Sequence, residues 1–115
     1  DVMGIRLDTG VITTYRKIEN EYNEVEGISP DGEWTLVESS RERGPERQNG
    51  NYVDIWKLRL APNSTEYVRM TRWGDYEGYK ASNPVVSNDG RRVAFQSARN
   101  DEPAGVGHGI FILTP

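Results

Sequence analysis

Apolar residues in this chain recur at every second position in short runs, and nowhere at the three-and-four spacing of a helix. The clearest run is 53–60. Val53, Ile55, Lys57 and Arg59 fall on one phase, and Trp56, Leu58 and Leu60 on the other. The second phase is apolar throughout from Trp56 onward, which predicts a strand half-buried in a stacked sheet. Shorter runs predict strands over 2–7, 11–15, 24–29, 34–39, 66–71, 84–87, 92–98 and 110–113. Turn chemistry separates them: Asp8-Thr9-Gly10, Pro30-Asp31-Gly32, Ala61-Pro62-Asn63-Ser64 and Asn88-Asp89-Gly90. Segments 16–23, 42–52 and 100–107 are polar or rich in Gly, Pro and Asn, and read as loops. No stretch has both a helical period and caps, so the pattern predicts an all-β protein.

One pattern occurs twice. Ile28-Ser29-Pro30-Asp31-Gly32 returns 58 positions later as Val86-Ser87-Asn88-Asp89-Gly90. Each copy runs on into an alternating strand and then Ser-x-Arg, ending at Arg41 in the first and Arg99 in the second. That spacing is somewhat longer than the roughly 20–50 residues of common structural repeats, yet the double occurrence marks a chain built from repeated supersecondary units.

The 115 residues suit a single domain and leave no room for two independent cores. A formal charge of −4, with Arg41, Arg43, Arg47, Arg91 and Arg92 set among carboxylates, argues against nucleic acid as a partner. Without cysteine there are no disulfides, thiolate chemistry or cysteine-ligated zinc. No apolar run reaches the roughly 18 residues that signal a membrane span, so membrane insertion is not expected. No signal peptide is visible at Asp1, but the chain opens in mid-strand, so that observation decides nothing. Asp8-Thr9-Gly10 matches half of an aspartic-protease signature. That chemistry needs two aspartates sharing a proton, and no second Asp-Thr/Ser-Gly exists.

Ser29-Pro30-Asp31-Gly32, the alternating strand, Ser-x-Arg and then Asp54-Ile55-Trp56-Lys57-Leu58 resemble the repeat of TolB-like, WD40-like β-propellers. The second copy departs from that pattern in having Asn88 in place of proline. The resemblance implies a partial propeller of four-stranded antiparallel blades. Residues 1–23 then hold the two outer strands of one blade, 24–80 a complete blade, and 81–115 the inner strands of a third. Propellers close with about four to eight blades. The chain is therefore expected to be a piece of a larger propeller or to assemble with copies of itself. Strands 2–7 and 110–113 would compete for one slot in a simple ring, which favours the piece; self-association is expected in either case. The resemblance also suggests a periplasmic or extracellular setting.

The connection 72–80 is too aromatic for an ordinary loop. Arg72, Trp73, Asp75, Tyr76, Tyr79 and Lys80 combine stacking surfaces with polar handles, as a sugar or peptide site requires. The same aromatics also suit a wedge between blades. Arg41 and Arg99 recur at one repeat position and suit either an anionic ligand or a structural ion pair. Asp31 and Asp89 read as turn formers, since neither has the neighbouring carboxylates of a calcium site. His108, the only histidine, precedes the last strand between two glycines and is a candidate general base or metal ligand. Together these residues predict a non-catalytic binding module with no cofactor or metal, recognising a protein or carbohydrate through Arg41, Arg72, Trp73, Asp75, Tyr76, Tyr79, Lys80, Arg99 and His108. The alternative is a segment of a propeller enzyme, a polysaccharide lyase of the oligogalacturonate type or a peptidase propeller domain.

Overall fold

The two Asp-Gly turns have the same hydrogen bonds. In the first, Ser29 Oγ donates to Asp31 Oδ1, and Asp31 Oδ1 also accepts from Glu33 N at 2.9 Å. Trp34 N donates to Ser29 Oγ at 3.0 Å, and Gly32, at φ 72°, donates to Ser29 O at 2.9 Å. In the second, Ser87, Asp89, Arg91, Arg92 and Gly90 repeat each bond to within 0.1 Å, with Gly90 at φ 71°. Each Asp carboxyl is held below the usual carboxylate range, by its serine hydroxyl first and a backbone N–H second. Glycine, having no Cβ, adopts this φ without steric cost. Asp31 and Asp89 thus make turns, and neither pairs with Arg41 or Arg99.

The computed structural model describes residues 1–103 and 105–114. Position 104, within the predicted loop 100–107, and position 115 lie outside the described residues. The chain is all-β, with strands β1 Val2–Ile5, β2 Ile12–Arg16, β3 Asn23–Ile28, β4 Trp34–Ser39, β5 Asp54–Arg59, β6 Tyr67–Arg69, β7 Tyr79–Val86, β8 Val93–Arg99 and β9 Ile110–Leu113. Only two short 3-10 turns, Pro45–Arg47 and Trp73–Asp75, interrupt the β pattern among the described residues. The strands form three antiparallel sheets: β1-β2, β3-β4-β5-β6 and β7-β8-β9. In both repeats the register slips by one at the same place, between Val25 and Gly27 in β3 and between Ser82 and Val85 in β7.

The four-stranded sheet lies in the middle of the stack, which corrects the reading of 53–60 as half-buried. Val53, Asp54, Ile55, Trp56 and Leu58 are all buried. Trp56 and Leu58 join Val37 and Tyr67 against Val2 of the first sheet. Ile55 joins Leu36 on the opposite face, against Ala81, Val93 and Phe95 of the last sheet. A strand packed on both faces needs no polar phase. Its two basic members, Lys57 and Arg59, set their cationic groups over the Trp34 ring at 4.5 and 5.5 Å.

Strand β7 starts five residues before the predicted 84–87. Tyr79, Lys80, Ala81 and Ser82 pair with Arg99 to Gln96 of β8, and Lys80, Ala81 and Ser82 are buried. Polar side chains there hid a strand that tertiary packing makes. In the first hairpin the Arg6 guanidinium donates to Asp8 at 2.8 Å, and Thr9 Oγ1 accepts the Val11 N–H.

Candidate functional site

Asp54 opens β5 and is 1% exposed. A buried carboxylate is costly unless hydrogen bonds replace its water, and here five donors do so. Oδ1 accepts from Thr71 Oγ1 at 2.6 Å and Trp73 N at 2.9 Å. Oδ2 accepts from Arg43 Nη2 and Arg69 Nη2, each at 2.7 Å, and from Gly74 N at 3.1 Å. The same arginines tie down the next turn: Arg43 Nη1 donates to Gly74 O, and Arg69 Nη2 to Asp75 Oδ1. Arg69 holds the Asp75 carboxyl below the usual range. Gly74 fits because it has no side chain; a Cβ there would stand 1.5 Å from Arg43 Nη2 and 2.8 Å from Asp54 Oδ2.

This clamp fixes Trp73–Asp75 and with it an aromatic ridge. Trp73 points inward. Its indole N–H donates to Ser97 Oγ at 2.6 Å, and its ring meets Phe95 and Phe111 edge-on, with centroids 5.3 and 5.1 Å away. It is thus a wedge between the central and last sheets, one of its two anticipated roles. Tyr76 and Tyr79 point outward, 70% and 44% exposed. They wall two shallow clefts. One is shared with Trp73 and Ser97; the other includes Arg43, Arg47, Tyr52 and Asn100. Arg47 lies over the Tyr52 ring at 5.3 Å. Asn100 Oδ1 is shielded from solvent and has no hydrogen-bond partner among the described residues.

Of the residues singled out by sequence, Arg72, Trp73, Asp75, Tyr76 and Tyr79 come together here. Arg99 sits directly across the ladder from Tyr79. Arg72 is exposed and 3.9 Å from Asp75, and Arg99 is 3.8 Å from Asp101. The other three lie elsewhere. Arg41 covers the Trp56 and Tyr67 rings at 5.3 Å and lines a cleft with Tyr15 and Arg16, so the repeat-mates Arg41 and Arg99 do not share a site. His108 meets Glu102 through Nε2 and donates its backbone N–H to Ser97 O. Lys80 alternates away from Tyr79, is 4% exposed, and donates to Glu102 O at 3.3 Å.

Lys80 belongs to a second pocket that sequence reasoning missed. Tyr22, Glu24, Glu26, Glu38, Ser82 and Asn83 line it with Lys80. Glu38 is 6% exposed and stands directly opposite Glu24, with Glu26 on the same side of β3. One oxygen of each lies within 4.8 Å of the others, the spacing a cation could bridge. Tyr22 Oη donates to Glu24, and the Asn83 backbone N–H to Glu38. Burial first, then repulsion from Glu26 and Glu24, pushes the Glu38 carboxyl up to about 7, against the pull of the Asn83 N–H and Lys80. Burial also raises Glu26. His108 is outside this group. Counting back from the Asp-Gly turn sets Glu24 opposite Ser39, and only the register slip beside Val25 brings it opposite Glu38.

Comparison with protein families, curated proteins and solved structures returned no match to this chain.

Proposed function

We propose that the chain is a non-catalytic binding module, part of a propeller of TolB-like repeats, that takes a protein or carbohydrate partner on the Tyr76–Tyr79 ridge. One observation carries the reading: two exposed tyrosines follow a turn that a buried aspartate holds by two backbone hydrogen bonds, to Trp73 N and Gly74 N. Tyrosine offers a broad, stiff contact surface with a polar tip, and a rigid base keeps little ordering cost for the moment of binding. The repeat turns and the two-, four- and three-strand grouping support the propeller part of the proposal. Tyr76→Ala combined with Tyr79→Ala should abolish the shift in tryptophan fluorescence or amide resonances on titration with oligosaccharides or a tyrosine-binding peptide panel. A full response from that double variant, or no wild-type response to either ligand class, overturns the reading.

The enzyme alternative gains one specific observation, the near-neutral Glu38 beside Lys80 and two further carboxylates in an open pocket. A carboxyl poised near pH 7 suits general acid–base work. Hydrolysis or elimination on acidic oligosaccharides that disappears in Glu38→Gln would favour it over the binding module.

A further inference from the structure

Both ends of the three-sheet stack present bare apolar faces. On the last sheet, the ladder sets Val85 beside Ala94 and Ala94 beside Ile112, with Ile110 opposite Gln96 on the same face. Val85, Ile110 and Ile112 are 58%, 82% and 66% exposed. On the first sheet, Val2 turns toward the central sheet. Alternation then sends Met3 and Ile5 to the far side, with Ile12 paired to Ile5, and these three are 57%, 58% and 64% exposed.

The repeat says what such a face is built to meet. Ile110 pairs with Gln96 as Ile55 pairs with Glu38, 58 residues earlier on β4. Yet Ile55 is fully buried and Ile110 is mostly bare. What covers Ile55 is the side of the following sheet that looks back along the stack, through Ala81, Val93 and Phe95. Every sheet contact within the chain joins a forward face to a backward face in this way. The Ile110 face is an open forward face, and the Met3 face is the open backward one.

We propose that copies of this chain join head to tail, the Val85–Ile110–Ile112 face of one against the Met3–Ile5–Ile12 face of the next. The contact is heterologous, so it propagates into a ring if the rotation closes and into an open filament if it does not. Large exposed apolar patches of this kind mark association sites, and here the internal stack supplies the geometry. The Tyr76–Tyr79 ridge is not involved, so the failure of one proposal leaves the other standing.

Light scattering across a concentration series tests this, with Ile112→Glu and Ile5→Glu as variants. Both positions are exposed, and circular dichroism checks that each variant folds. The wild type should give multiples of 13.0 kDa that grow with concentration. Each variant alone should give the single-chain mass. An equal mixture should double that mass and stop there, because one variant keeps a working backward face and the other a working forward face. A wild type that stays monomeric, a variant that still assembles, or a mixture that remains monomeric while the wild type assembles would each overturn the proposal.

Discussion

Asp54 and Glu38 are buried carboxylates on adjacent strands of the central sheet, one residue out of register from each other. Asp54 is surrounded by donors: two guanidinium groups, a hydroxyl and two backbone N–H groups. Glu38 has one backbone N–H and faces two more carboxylates, while Lys80 draws its carboxyl the other way. Burial alone therefore does not decide what a charge does. With its lone pairs filled, a carboxylate becomes a node that fixes backbone; left short of donors, it becomes a group the protein must strain or protonate to keep.

The sharpest way to break this comparison is to remove the satisfied member. Asp54→Ala leaves the Arg43 and Arg69 guanidinium groups, 14% and 11% exposed, without their shared anion. Removing one partner from a buried charge network costs about 3–5 kcal/mol, so urea unfolding should show a loss of that size. Loss under about 1 kcal/mol would mean the clamp adds nothing the ladder does not already supply. Next in size is Gly74→Ala, which attacks the clamp from outside. The new methyl group displaces Arg43 from Asp54, and overpacking of this kind costs about 1–3 kcal/mol. In an Arg43→Ala background the same substitution should cost much less, and a double-mutant cycle reads the difference.

For Glu38 the sign reverses. Its folded-state pKa, about 7, is above the unfolded value near 4.5. The folded state therefore holds the proton more tightly, and stability is full below about pH 4.5 and lost as pH rises through 7. The facing groups are Glu24 and Glu26 from β3, Tyr22 before it, and Lys80 and the Asn83 N–H from β7. Asp31, Asp75 and Asp89, whose carboxyls are held low, work in the opposite direction and weaken the fold only in acid. Thermal stability should accordingly peak near pH 5 and decline toward pH 8. Glu38→Gln keeps an acceptor for Asn83 and carries no charge, so it should gain about 2–3 kcal/mol more at pH 8 than at pH 5. A variant whose pH profile parallels the wild type would show that Glu38 is ionised at little cost.

The same contrast explains what could be read from the sequence. The turns at Ser29–Gly32 and Ser87–Gly90 are made by residues within five positions of one another, and local chemistry specifies them fully. The all-β class followed from that punctuation and from alternation. Asp54 gathers partners 11 to 20 residues away, two of them backbone groups of a three-residue turn, and no spacing rule announces such a set. The Glu38 pocket needs a register slip that places Glu24 across from it, and the slip has no signature in residue type. The double burial of β5 needed knowledge of a second neighbouring sheet. Among the ridge residues, composition found the aromatics of 72–80, but it could not separate Trp73, which is anchored, from Tyr76 and Tyr79, which are displayed.

That separation gives the smallest predicted effect. Tyr76 and Tyr79 follow the clamped turn without being part of the clamp: Asp54 holds the N–H groups of Trp73 and Gly74, and the indole anchors the turn to Ser97. Truncating two exposed rings removes little buried surface, so Tyr76→Ala with Tyr79→Ala should move stability by no more than about 0.5 kcal/mol. Trp73→Ala should cost several times more, through its lost edge contacts with Phe95 and Phe111. A large loss from the tyrosine pair would mean the ridge is structural, and the claim of Tyr76 and Tyr79 to a ligand would fall with it. A small loss leaves two aromatic rings that the fold holds in place without needing them for its own stability, the arrangement expected of a surface kept for a partner.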